Sequence, residues 1–325
     1  MTHAIRFHAT GGPEVLKWEE VTVGDPGPGE VRIEHKAIGL NYIDTYHRTG
    51  LYPLPLPSGI GLEAAGVVEA VGPGVTELKA GDRVAYCNGP IGTYAERKLH
   101  PVERLVKIPE GISFEQAACM MLQGLTAHYL LRRLHLTPKA GETVLWHAAA
   151  GGVGLFACQL AKAIGVNVIG TVSTDEKAAL AKENGCAHTI IYTREDFVAR
   201  VAEITGGKKV PVVYDSVGKD TFLKSLDCLQ PRGLLALFGN SSGPVDALNT
   251  GLLAAKGSLY VTRPTLVTYT TPRSELVASA DELFGHVLAG RIKVGPRQKY
   301  ALKDAAQAHR DLEARKTTGS TILVP

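Results

Sequence analysis

The stretch Thr143-Val-Leu-Trp-His-Ala-Ala-Ala-Gly-Gly-Val-Gly-Leu-Phe-Ala-Cys-Gln-Leu-Ala-Lys-Ala-Ile164 decides the fold. A short apolar run, Thr143 to Trp146, feeds a glycine-rich turn from His147 to Gly154, and a helical pattern opens at Leu155. Strand, tight turn and helix in that order form the geometry that holds a dinucleotide pyrophosphate. Read as Ala149-x-Gly151-x-x-Gly154, the turn is the dinucleotide fingerprint with alanine at its first position. Gly151 lets the backbone approach phosphate, and Gly154 lets the helix pack close to the strand. The unpaired N–H groups at the helix start attract the anion. With 36 glycines in 325 residues the pattern alone is weak, and its flanks give it weight.

Downstream, apolar runs alternate with helical patterns. Candidate strands are 143–147, 166–172, 188–191, 210–215, 233–238 and 258–262; candidate helices are 152–164, 174–184, 195–204, 218–229 and 247–254. Strongly apolar strands alternating with helices predict a parallel, doubly wound Rossmann sheet. The first third reads differently. Ala4–Phe7, Glu30–His35 and Ala65–Val71 are short, partly alternating runs between Gly/Pro/Asp turns, which predicts a β-rich domain. After a helical pattern at 274–289 and another near 304–315, the closing strand 320–324 has no obvious place in the Rossmann sheet. It is therefore expected to return to the first domain. The expected organisation is an α/β chain with a Rossmann domain at 124–264 and a discontinuous β-rich domain at 1–123 and 265–325.

Bulk properties exclude several classes. The chain is 45% hydrophobic and 21% charged, with 35 basic and 32 acidic residues, a balance that argues against nucleic acid as partner. The most apolar stretch, near 144–170, contains His147, Gln159 and Lys162 and is no membrane span. The start, Met1-Thr-His-Ala-Ile-Arg6, lacks the apolar core of a secretion signal. Five scattered cysteines form no CxxC, which suggests reduced thiols in a cytoplasm.

The end of the second Rossmann strand speaks to the choice of nucleotide. An acid there binds the ribose 2′-hydroxyl and favours NAD. Here the strand ends in Ser173-Thr174, with Lys177 one turn into the next helix, a set that suits a 2′-phosphate and hence NADPH. Asp175 is the counter-signal. It also reads as a residue of the first helical turn, on the positive end of the helix, with Ser173 or Thr174 as the cap.

An ordered set of motifs spans nearly the whole chain. It comprises Asn41-Tyr-Ile-Asp-Thr-Tyr46, Gly50-Leu-Tyr52, Gly61-Leu-Glu-Ala-Ala-Gly66, Gly81-Asp-Arg-Val84, Gly124-Leu-Thr-Ala127, the turn at 148–154, Val213-Tyr-Asp-Ser-Val-Gly218, Phe238-Gly-Asn-Ser-Ser-Gly243 and Thr262-Arg-Pro264. Together these resemble the zinc-independent, ζ-crystallin-like branch of the medium-chain dehydrogenase/reductases. The resemblance implies a GroES-like β-rich catalytic domain, NADPH as cofactor, and reduction of a quinone in a cleft between the domains. Asn41, Leu62 and Gln123 stand near the positions where zinc-dependent members carry ligands, and they cannot supply the usual nitrogen and sulfur set, so no metal is expected.

Carried over residue by residue, the resemblance implies that Ser173, Lys177 and Tyr192 surround the 2′-phosphate. Gly151, Gly152 and Val153 would meet the pyrophosphate. Tyr129, Ser216, Phe238, Gly239, Asn240, Ser241, Ser242, Pro264 and Arg315 would line the rest of the cofactor. Asn41, which would also touch the cofactor, Tyr46 and Tyr52 would face nicotinamide and substrate, with no firm catalytic assignment. Tyr46 reads equally as a core aromatic and Arg315 as a solvated helix end. An NADPH-dependent reductase of alkenals or enones is the alternative activity, and a crystallin-like or RNA-binding role is the third. A homodimer through the final Rossmann strand is expected, with no membrane association.

Overall fold

The structure is a computed structural model that describes residues 2–325; Met1 lies outside it. The chain divides into two compact units. The first holds residues through Leu125 with Thr270–Gly290 and Val294–Pro325; the second holds Thr126–Tyr269 and Arg291–Lys293.

The first unit opens with β1 (Thr2–Phe7), β2 (Lys17–Val21), β3 (Glu30–Leu40), α1 (Tyr42–Thr49) and β4 (Ser58–Gly59). It continues with β5 (Glu63–Val71), β6 (Arg83–Tyr86), β7 (Arg97–Pro101) and β8 (Val106–Lys107). The chain leaves it within α2 (Phe114–Arg132). The second unit contains β9 (Thr143–Trp146), α3 (Gly152–Ala163), β10 (Asn167–Val172), α4 (Asp175–Glu183), β11 (His188–Ile191), α5 (Phe197–Ile204) and β12 (Val210–Asp215). It goes on through α6 (Phe222–Asp227), β13 (Leu229–Leu237), α7 (Gly251–Ala255) and β14 (Tyr260–Thr262). The remaining elements are α8 (Leu266–Thr270), α9 (Arg273–Leu288), β15 (Pro296–Ala301), α10 (Ala305–Glu313) and β16 (Ser320–Val324).

In the second unit six parallel strands lie in the order β11-β10-β9-β12-β13-β14, the Rossmann order with the chain reversing direction between β9 and β12. Its core is aliphatic, with Leu145, Ile169, Val213 and Leu235 fully buried. In the first unit, β15-β16-β3-β5-β6-β8 form one sheet with β7 also on β3, and β2-β1-β4 form another. The closing strand β16 returns to this unit and pairs antiparallel with β3, Leu323 opposite Ile38.

Three departures from the sequence reading have physical reasons. The strand expected at 258–262 begins at Tyr260, because Ser258 takes a left-handed φ of 55°. The helix expected from 218 begins at Phe222, because residues 216–221 wrap the Asp215 carboxylate. Helix α2 gave no periodic signal, since Ala117 to Met121 are all buried and so are Leu125 and Tyr129 to Leu131.

Candidate functional site

The dinucleotide turn of the second unit is built as its sequence requires. Gly151 caps α3 in extended conformation, and its N–H donates to Ala148 O at 3.0 Å. A Cβ on Gly154 would lie 2.4 Å from Ala148 O and 2.7 Å from the Ala149 backbone, so only glycine fits. The left-handed position is Ala148, at φ 56°. It precedes the fingerprint's first position. Beneath the turn, His147 is buried, with Nδ1 3.0 Å from Thr171 Oγ1 and Nε2 3.0 Å from Ser225 Oγ. Burial holds its pKa below the usual histidine value, so it serves as a neutral hydrogen-bonding residue.

At the end of β10, Thr174 accepts the N–H of Lys177 at 3.3 Å and starts α4. Asp175, the counter-signal for NADPH, forms a bidentate ion pair with Arg194 at 2.6 and 2.8 Å. Arg194 holds that carboxyl below the usual range. The parallel register of β10 and β11 places Ile191 opposite Val172, and Thr193 Oγ1 donates to Ser173 O. Ser173, Lys177, Tyr192 and Arg194 are thereby gathered at one strand end. Sequence reasoning missed Arg194, because only the register of β11 on β10 brings it there.

A second cluster joins Ser216 to the loop from Phe238 to Ser242. Phe238 N donates to Asp215 O, Ser241 N to Ser216 O and Ser242 N to Val217 O. Asp215 anchors this junction. It is fully buried and accepts from Val217 N at 2.8 Å, Gly218 N at 3.0 Å, Thr221 Oγ1 and Ser225 Oγ. An acid at a strand end followed by glycine three residues on is the signal that could have revealed it. Tyr129 is buried and stacks on Tyr269 with centroids 4.6 Å apart. Pro264 is buried in the same unit.

In the first unit α1 carries Tyr46, with Asn41 at its start and Tyr52 just beyond its end. The N–H of Asn41 donates to Asp44 Oδ2 at 2.9 Å, Gly50 ends the helix at φ 84°, and Tyr46 meets Tyr42 and Tyr52 edge-on at 5.6 and 5.2 Å. Tyr46 is buried and Tyr52 half-buried. Arg48, itself buried, clamps Glu313 of α10 with bonds of 2.9 and 2.7 Å. Arg315 follows α10 in a left-handed conformation that closes the helix, its N–H donating to Leu312 O and that of Lys316 to Asp311 O. The Arg315 side chain is exposed.

Asn41 is buried in a chain of hydrogen bonds. Its Nδ2 donates to Glu63 Oε2 at 2.7 Å, and its Oδ1 accepts from Gln123 Nε2 at 3.0 Å. Ser320 Oγ donates to Gln123 Oε1 at 2.7 Å, and Leu122 N donates to Glu63 Oε1 at 2.7 Å. Burial pushes the Glu63 carboxyl up to about 8, while the bonds from Asn41, Leu122 and Met121 oppose the shift. Burial likewise moves Asp44 up to about 7. Asn41, Leu62 and Gln123 do not fit a zinc ion: two are amides already spent on each other and on Glu63, and the third is a hydrocarbon. Among the described residues no group of three or more His, Cys, Asp or Glu could hold a metal.

Two family models match the chain: an alcohol dehydrogenase GroES-like domain over residues 27–110 and a zinc-binding dehydrogenase domain over 152–278. A quinone oxidoreductase of Pseudomonas aeruginosa is 59% identical over 326 residues, covering all of both chains. A 2-haloacrylate reductase of a Burkholderia species is 48% identical over 333 residues, covering 100% of this chain and 99% of the relative. The crystal structure of Escherichia coli quinone oxidoreductase complexed with NADPH superposes with a TM-score of 0.97 at 54% identity, all of each chain included. With both domain types matched, full-length relatives this similar and amides where a zinc site would need its ligands, the chain belongs to the zinc-independent branch of the medium-chain dehydrogenase/reductases.

Proposed function

We propose that the protein is an oxidoreductase that uses NADPH to reduce quinones. One observation carries this reading: the end of β10 offers Ser173 and Lys177 with Asp175 neutralised by Arg194, on a chain that matches quinone oxidoreductases from end to end. A 2′-phosphate seated there would meet two cations and hydroxyl donors, where an unpaired carboxylate would repel it. Gly151, Gly152 and Val153 would present the α3 N-terminus to the pyrophosphate. Tyr129, Tyr192, Ser216, Phe238, Gly239, Asn240, Ser241, Ser242, Pro264 and Arg315 would complete the cofactor's surroundings.

When bound, NADPH supplies the reducing equivalents. Asn41, Tyr46 and Tyr52 would orient the acceptor and donate hydrogen bonds to its oxygens as negative charge develops there. The 48% identity to a 2-haloacrylate reductase favours a second reading, reduction of an electron-poor carbon–carbon double bond. Parallel steady-state assays with NADPH and either 1,4-benzoquinone or 2-chloroacrylate separate the two. A higher kcat/KM for the quinone is expected, and the reverse order replaces the first reading with the second.

The protein would work as a cytoplasmic homodimer. Its five cysteines are free and buried, which suits a reducing compartment, and no helix among the described residues is long and apolar enough to cross a membrane. Strand β14 ends the six-stranded sheet with Tyr260 54% exposed, an edge that a two-fold mate would cover. Sedimentation should give twice the chain mass for wild type and one chain mass for Tyr260→Glu; monomeric wild type would refute the dimer.

A further inference from the structure

We propose that Glu63 is a positioning residue that sets the polarity of the Asn41 amide, so that Asn41 offers the electron acceptor an N–H rather than a carbonyl oxygen. This rests on the reading that Asn41 faces the acceptor. Four residues from distant parts of the sequence form the chain Glu63, Asn41, Gln123, Ser320, each bond between 2.7 and 3.0 Å. Glu63, Asn41 and Gln123 are at most 6% exposed and Ser320 5%.

Every link except Glu63 can run in either direction. A side-chain amide keeps its shape when its oxygen and nitrogen are exchanged, and a hydroxyl both donates and accepts. If Asn41 turned over, Gln123 could turn with it, and Ser320 Oγ could accept from Gln123 while donating to Cys119 O, 3.4 Å away. Within the chain the Glu63 carboxylate is the one member that can only accept, and the Asp44 N–H that the Asn41 side chain accepts acts in the same direction. Glu63 Oε1 takes the N–H of Leu122 and Oε2 faces Asn41, so once the carboxyl is ionised the atom turned toward it must be the donor nitrogen. That leaves the second Nδ2 hydrogen of Asn41 for a partner outside the chain. Gly39 is part of the device: a Cβ there would lie 2.3 Å from Glu63 Oε2 and 2.5 Å from Ala118 O, so the carboxylate occupies space that only glycine leaves.

The difference matters during reduction. A donor stabilises charge growing on an acceptor oxygen, and a carbonyl oxygen in its place repels it. Glu63→Gln keeps the volume, removes the charge and lets the whole chain invert with every bond remade. In NADPH-dependent turnover of 1,4-benzoquinone at pH 9, above the value of about 8 to which burial moves the carboxyl, E63Q should lose about 10- to 100-fold in kcat/KM, mostly in kcat. Asn41→Ala should lose a similar amount, and the double variant N41A/E63Q should be no worse than N41A. The swap E63Q/Q123E keeps one carboxylate and one amide but reverses the polarity. It should be as impaired as E63Q, and it carries the test if E63Q does not fold. Wild-type kcat/KM in E63Q or in the swap, or additive losses in the double variant, would overturn the proposal. Wild-type turnover by N41A would instead remove the reading of Asn41 beneath it, and the proposal with it.

Discussion

The turn from His147 to Gly154 is one unbroken run, whereas the chain around Asn41 is drawn from positions 41, 63, 123 and 320. Both fix the placement of a group expected to face the ligand. The turn does so with backbone geometry, where glycine is needed because Ala148 O leaves no room for a side chain at 154. The amide chain does so with hydrogen-bond direction, where identity matters only through who donates and who accepts. A site made of local backbone announces itself in sequence; a site made of tertiary hydrogen bonds does not.

Titrating the first unit should give the largest effect. Asp44 anchors Asn41 and accepts from Tyr94 Oη at 2.8 Å, and burial raises its pKa from 3.8 to about 7. Because the folded value lies above the unfolded one, the native state binds the proton more tightly. Its favourable contribution is complete below about pH 4 and is lost as pH rises through 7. The three-unit gap corresponds to about 4 kcal/mol. Urea unfolding of wild type should therefore weaken between pH 5 and 8 more than that of Asp44→Asn, and parallel curves would show that Asp44 is not the group responsible.

Next comes the turn. Gly154→Val drives side-chain atoms into the Ala148 carbonyl, and overpacking of this kind costs about 3 kcal/mol. We expect fluorescence titration to show NADPH binding weakened by about 100-fold, while retained affinity would mean that the turn can open without penalty. The smallest effect concerns the strand end. Lys177→Ala should weaken NADPH about 10-fold and leave NADH nearly unchanged. Arg194→Ala should show the same selectivity, since it removes one cation and leaves the Asp175 carboxylate unpaired. Equal losses for the two nucleotides would remove the 2′-phosphate from this corner.

Legibility followed the same division. Strands β11, β12 and β16 were readable to the residue from apolar runs, and so was the return of β16 to the first unit. Asn41, Leu62 and Gln123 were legible as poor zinc ligands, but the bonding of Asn41 and Gln123 to each other and to Glu63 and Ser320 was not, because it depends on where β3, β5, α2 and β16 meet. Arg194 stayed hidden for a related reason: its role comes from strand register, which no local pattern encodes. Helix α2 was lost to its own burial, which erased the polar face that periodicity needs. The family resemblance supplied the residues around the cofactor, and the fold explains why several of them are neighbours, as with Asp215 tying Ser216 to the Phe238–Ser242 loop.

The buried cysteines acquire a meaning once the proposed acceptor is considered as a reagent. Quinones and activated alkenes are electrophiles that alkylate thiolates, so an enzyme handling them risks inactivation by its own clients. None of the five thiols is exposed, and burial pushes those of Cys87 and Cys119 far up and that of Cys228 up to about 12. The nucleophile is the thiolate, so Cys87, Cys119 and Cys228 are shielded twice, by access and by ionisation, whereas Cys186, whose pKa its bond with Cys158 lowers, is shielded by burial alone. Intact mass after exposure to 1,4-benzoquinone without NADPH should remain that of the native chain, and a quinone adduct on any cysteine would show that the shield fails.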